Sequence, residues 1–142
     1  MIVPSPSTVR QAAVIVGLEG AALVGVSVVL VVRHLSGVED QPWLSGYGTA
    51  GWFAIMGAGV LAAAGALWTG RRWGRGIAVF AQLLLLPVAW YMGVGSQRWW
   101  YAIPVGLVAL VTLGLLFSPS TLQWLGASQD SASADNSGPD TR

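Results

Sequence analysis

Four long apolar runs fill about half of this chain, and a single carboxylate, Glu19, lies inside any of them. An α-helix rises about 1.5 Å per residue, so about 20 residues cross the roughly 30 Å hydrocarbon core of a bilayer. The runs fall at about 12–32, 49–69, 77–94 and 99–117. Each has the length of a span, and a soluble core has no use for four of them. Charged residues make up 9% of the chain, against roughly 25% in an ordinary soluble domain, too few to keep such helices in water. The expected fold class is therefore all-α: a polytopic membrane protein with four transmembrane helices in a compact bundle.

The segments between the runs divide the chain. Residues 1–11 read as an N-terminal tail, since Pro4 and Pro6 oppose helix before Arg10. Residues 33–48 form a polar, turn-rich loop. Gly70-Arg71-Arg72-Trp73-Gly74-Arg75-Gly76 is a short basic turn, Gly95-Ser96-Gln97-Arg98 is another, and Pro119 ends the fourth span, with room for one more turn through Trp124. The membrane domain thus covers 12–125. Residues 126–142, rich in Ser, Asp and Gly with no apolar anchor, are expected to be disordered. The first run is longer than the apolar region of a signal peptide, and Val32-Arg33-His34-Leu35 offers no small-residue cleavage site, so it is read as a span.

Arginine placement sets the expected orientation. Arg10, Arg71, Arg72 and Arg75 flank the spans on one side, Arg33 and Arg98 on the other. Cytoplasmic loops carry the excess of basic residues, so both termini are expected in the cytoplasm. Aromatic side chains group accordingly: Trp43, Tyr47, Trp52, Trp90, Tyr91, Trp99, Trp100 and Tyr101 near the outer surface, Trp68, Trp73, Phe117 and Trp124 near the inner. Rings with one polar edge settle at the headgroup level, which makes anchoring their expected role.

Lipid tails are as apolar as leucine, so spans associate by close packing, and small residues at every fourth position permit it. Gly17-Ala21-Gly25 on the first span, Ala58-Ala62-Ala66 with Gly59-Ala63 on the second, and Ala102, Gly106 and Ala109 on the fourth are the candidate ridges. Ala21 lies about 200° around the helix from Glu19. The first span is therefore expected to be contacted on two sides, either centrally in the bundle or by a second subunit. On the third span Gln82 shares a small, polar face with Arg75, Ala78, Ala89 and Gly93, and Pro87 is expected to bend the helix.

Glu19 is the one chemical candidate. Counted from the cytoplasmic ends of their spans, Glu19 and Gln82 reach similar depths, about 8–11 Å into the apolar slab, which predicts a hydrogen bond between them. Arg75, about two turns nearer the cytoplasm than Gln82, is placed to extend toward the carboxylate. A charge near mid-membrane costs roughly 2.5–3.5 kcal/mol on insertion scales, so it seldom stays unpartnered. One reading makes Glu19 a proton- or cation-binding group in a transport path. The other makes it a polar clamp between the first and third spans, and the want of a second acid, histidine or basic group in the apolar core favours the clamp.

Elsewhere the signals are thin. His34, Glu39 and Asp40 share the outer loop but read as solvated loop, and Arg71, Arg72 and Arg75 read as topology determinants. Ser7, Thr8 and the tail serines have no nucleophile's partner. The absence of cysteine excludes disulfides and thiolate sites, and a net charge of +1 gives nucleic acid no footing as a partner. With no catalytic, phosphate-binding or metal-ligand spacing in view, no enzyme, cofactor or metal is expected.

Residues RRWGRGIAVFAQLLLLPVAWYM (71–92), RWWYAIPVGLVAL (98–110) and LFSPST (116–121) resemble uncharacterised small four-span membrane proteins of actinobacteria. That resemblance implies four spans in a bacterial plasma membrane and brings no activity with it. Small multidrug-resistance exporters are similar in having four spans and one essential glutamate in the first, which Glu19 matches in kind. This chain departs from them in its length, its polar tail, its arginine bias and Pro87. The expectation is a non-enzymatic accessory or scaffold subunit, its partners being the bilayer, other membrane proteins or a second copy of itself. The alternative is a small proton-coupled exporter of lipophilic cations, acting as an oligomer through Glu19.

Overall fold

The computed structural model describes residues 5–38 and 46–136, and all its regular structure is helical. The elements are α1 (Ser7–Leu35), α2 (Gly46–Trp68), α3 (Arg72–Val94), α4 (Trp99–Leu116) and α5 (Pro119–Asn136). The first four are long and apolar enough to cross a membrane. They run up and down as antiparallel neighbours: α1 packs most extensively on α2 and α3 on α4, while α2 with α3 and α1 with α4 complete the ring. The helices α1 and α3 therefore lie diagonally opposite.

What is buried and what faces out reverse the pattern of a soluble bundle. The central cluster is Ala12, Ala13, Val16, Val60, Ala64, Leu67, Ala78 and Leu116, half of it alanine. Large side chains such as Leu18, Ile55, Phe80, Trp90 and Leu110 point outward. Small residues let the helices approach, and the outer apolar surface is satisfied by lipid. This is a multi-pass membrane protein.

The helix ends correct the expected boundaries. Both α1 and α3 begin five residues early, at 7 against 12 and at 72 against 77. Pro6 does not block α1. It stands just outside the first turn, with φ −56° and ψ 150°, and its carbonyl accepts from the N–H groups of Val9 and Arg10, a position where a missing N–H costs nothing. The basic turn shrinks to Thr69-Gly70-Arg71. Gly70 has φ +77°, its N–H donates to Leu67 O, and Arg71 N–H donates to Ala66 O at 2.7 Å. This is a Schellman stop that hands the chain directly into α3. At the far end of α1, Gly37, φ +72°, does the same, with bonds from Gly37 to His34 O and from Val38 to Arg33 O. The helix α2 starts three residues early, and Pro87 is accommodated within an unbroken α3.

The expected disordered tail, 126–142, is helical as far as Asn136, the last described residue. Thr121 and Leu125 are buried and Trp124 is half-buried, so the first turns of α5 are docked. Once those turns exist, each further residue adds a hydrogen bond without a new nucleation cost, and Ala127, Ala132 and Ala134 propagate readily.

The ridges were only half legible. Ala102, Gly106 and Ala109 on α4 do face inward, with Ala89 beside Gly106. On α1 and α2 the ridges hold in part: Gly17 faces Ala64, and Ala63 and Ala66 are buried against Gly74 of α3, but Ala21, Gly25, Ala58, Gly59 and Ala62 are exposed, and Ala13, Val16, Gly20, Ser27, Ala50, Gly57, Val60 and Ala64 are buried in their place. A Cβ at Gly20 would lie 2.9 Å from Leu61 N, and one at Gly57 would lie 3.0 Å from both Gly20 O and Val24 N, so the two backbones touch there. The first span is thus not central: its Ala21/Gly25 face has no cover among the described residues.

Candidate functional site

Two polar side chains of the apolar layer, Gln82 and Glu19, meet across the bundle. Gln82 is wholly buried on the inner face of α3, with Ala78, Ala89 and Gly93 buried along the same face. Its Nε2 donates to Glu19 Oε2 on α1. Two diagonal helices that share little backbone contact are thereby joined by side chains. The equal depth expected of these residues holds because α1 and α3 start early by the same amount.

Beyond that one bond the site is under-partnered. Glu19 Oε1 and Gln82 Oε1 are shut away from solvent, and neither has a hydrogen-bond partner. Buried polar atoms without partners are uncommon in folded proteins, and each calls for a physical reason. Arg75 is not brought to the carboxylate as expected. It shares the face of Gln82 two turns away, its guanidinium lies over the Phe117 ring at 4.9 Å, and its Nε is buried without a hydrogen-bond partner. The quadrupole of the ring attracts the cation where no carboxylate is in reach.

The end of the bundle that carries the N-terminus of α1 is tied by other groups. Arg10 lies over Trp68 at 5.1 Å, and Trp124 covers Gly70. Thr8 Oγ1 meets Ser120 Oγ at 3.0 Å and Thr121 Oγ1 at 3.3 Å, while Thr121 donates to Leu115 O and shares a hydrogen bond with Ser118 Oγ at 2.8 Å. These hydroxyls bring the start of α1 to the α4–α5 corner. The sequence carried one cue to this, the fall of both segments at the same side of the membrane. Ser27 was also missed: it is buried and donates to Ala50 O at 2.7 Å, a polar link from α1 to α2 beside the one to α3. A serine amid valines bears no mark of its partner.

At the opposite end, His34 belongs to the last turn of α1 and not to a loop, with its ring edge-on to Tyr47 at 4.3 Å. Glu39 and Asp40, considered with it as cation ligands, lie outside the described residues. Among the described residues no three His, Cys, Asp or Glu side chains gather as a metal-binding group. What the Glu19–Gln82 site can do chemically is hold two helices together, and hold a proton or another small electron-pair acceptor between its free oxygens.

Comparison with family models, with characterised proteins and with solved structures returned no match.

Proposed function

We propose that this chain is a non-enzymatic accessory or scaffold subunit of a bacterial plasma membrane, with both termini in the cytoplasm and other membrane proteins as its partners. The observation that supports this most is the engagement of Glu19 by Gln82 across the bundle. The sole acid of the apolar layer is used to join α1 to α3, as a clamp requires. The outward surface fits the same role. An uncovered strip on α1 that includes Ala21 and Gly25, with no atom within 4 Å of where a Gly25 Cβ would be, offers a face on which a neighbouring helix could pack closely.

The alternative, a proton-coupled exporter of lipophilic cations, draws on a different observation: the unpartnered oxygens of Glu19 and Gln82. The two readings separate in one experiment. Purified protein, native and Glu19→Gln, is mixed with a panel of lipophilic cations while proton release is followed. A clamp gives no release from either. Release from the native protein that disappears in the variant establishes the exporter. Affinity purification from membranes then tests the accessory role, which requires a membrane protein partner retained equally by native and Glu19→Gln chains.

A further inference from the structure

The hydrogen bonds at the Glu19–Gln82 pair do not balance if Glu19 is ionised. A carboxylate only accepts, and an amide brings one acceptor of its own. After Gln82 Nε2 has donated to Glu19 Oε2, the two atoms left over, Glu19 Oε1 and Gln82 Oε1, are both acceptors, both hidden from solvent and both unpartnered. The second N–H of Gln82 Nε2 reaches neither of them, since neither oxygen has a partner within hydrogen-bond distance. What both lack is a hydrogen.

We propose that the pair binds a proton: Glu19 is a neutral carboxylic acid in the folded protein, and its Oε1–H donates to Gln82 Oε1. Acid and amide then form a reciprocal two-bond pair, each planar group donating once and accepting once. This rests on the reading of the pair as a clamp and specifies its chemical form. The surrounding helices supply no competing ion pair. On α3 the only charged residue along the buried face is Arg75, which stacks on Phe117 and makes no ion pair with Glu19. On α1 the charged and titratable groups are at the ends, Arg10 over Trp68 and Arg33 with His34 in the last turn. From α2 and α4 come only Tyr47, against His34, and Tyr101, exposed near the start of its helix. A carboxylate here would sit in the apolar layer with neither a counter-ion nor a second donor, the condition that intramembrane acids avoid. Protonation removes the charge and the missing donor together.

Infrared spectroscopy of the full chain in lipid bilayers at neutral pH tests this, with 13C in the glutamate carboxyl groups. The chain has two glutamates, Glu19 and Glu39. Glu39→Gln therefore leaves Glu19 as the only labelled carboxyl without touching the pair. The expected result is an isotope-shifted band of a protonated carboxyl in Glu39→Gln, absent from Glu19→Gln and moved to higher frequency by Gln82→Met as its hydrogen bonds are lost. Labelled carboxylate bands alone in Glu39→Gln overturn the proposal, whether Arg75 or a bound cation balances the charge. So does an acid band that Gln82→Met leaves in place. The Glu39→Gln measurement stands even if a variant at the pair fails to fold. Ionisation of Glu19 in a chain that Gln82→Leu still destabilises would refute the proton and spare the clamp.

Discussion

Gln82 on α3 donates a hydrogen bond from Nε2 to Oε2 of Glu19 on α1 at 2.5 Å, and so joins the two helices that lie diagonally across the bundle. Neighbouring helices in this fold are held mainly by backbone approach and small side chains, with Ser27 of α1 adding one bond to Ala50 O of α2. This diagonal is held by polar groups, and it is the place where a single substitution should separate a structural from a functional use of the acid.

Glu19→Gln should be nearly silent in stability, within about 0.5 kcal/mol, because two facing amides can donate and accept as an acid and an amide do. Gln82→Leu strands the carboxyl in the apolar layer and should lose about 1–2 kcal/mol, the upper range of interhelical hydrogen bonds in membranes. Reversible unfolding in mixed detergent, with helicity as the signal, measures both. Equal losses from the two variants would refute the clamp.

Gly57→Leu should destabilise the bundle by about 1–3 kcal/mol, the usual cost of overpacking, because its Cβ would meet Gly20 O and Val24 N at 3.0 Å. At Gly25 a Cβ would meet nothing within 4 Å among the described residues, so Gly25→Leu should leave monomer stability unchanged. A Gly25→Leu chain that folds normally but loses its membrane partner in affinity purification would locate the partner's contact on this face.

Gly70→Ala should cost about 1–2 kcal/mol. The residue sits at φ +77°, where an L side chain is strained, and its Cβ would come 2.7 Å from the Trp124 ring. Some of that loss should appear as undocking of α5, read as greater solvent exposure of Trp124. Gly76→Ala, with nothing within 4 Å, is the control and should be neutral or slightly stabilising.

Because the natural chain has no cysteine, a Thr8→Cys, Ser120→Cys double variant has a unique pair to oxidise, and the 3.0 Å approach of the two hydroxyls predicts efficient crosslinking. Single cysteines placed at Arg71 and at Ser96 should label oppositely with a membrane-impermeant reagent in whole cells: Ser96→Cys accessible, Arg71→Cys protected. The reverse pattern would invert the topology argued from the arginines.

The number of spans, the pairing of Glu19 with Gln82 and the inward face of α3 could all be read from the residues alone. Their cause is local: an apolar run of span length must be a helix in lipid, since its backbone has no other hydrogen-bond partners there. Two polar residues at equal depth have only each other to meet. The same logic placed the aromatic rings at the span ends, where Trp90, Tyr91, Trp99 and Trp100 are exposed. Arg75 was misjudged because its choice between Glu19 and the Phe117 ring depends on how close α4 comes to α3, which no periodicity encodes.

Composition and periodicity by themselves determined that this is a four-helix membrane protein, because the bilayer imposes length, apolarity and internal hydrogen bonding on each span separately. Only the tertiary structure decided which small residues touch, with Gly20 and Gly57 chosen over Ala21 and Gly25. In a chain so rich in Gly and Ala every face of α1 and α2 offers a candidate ridge, and the selection is made by the fit of whole helices against one another. The same holds for the docking of Thr8 on Ser120 and Thr121, and for the helical course of 119–136. The contacts of Thr8 join residues more than a hundred positions apart, and the energy of all these contacts exists only once the bundle has brought them together.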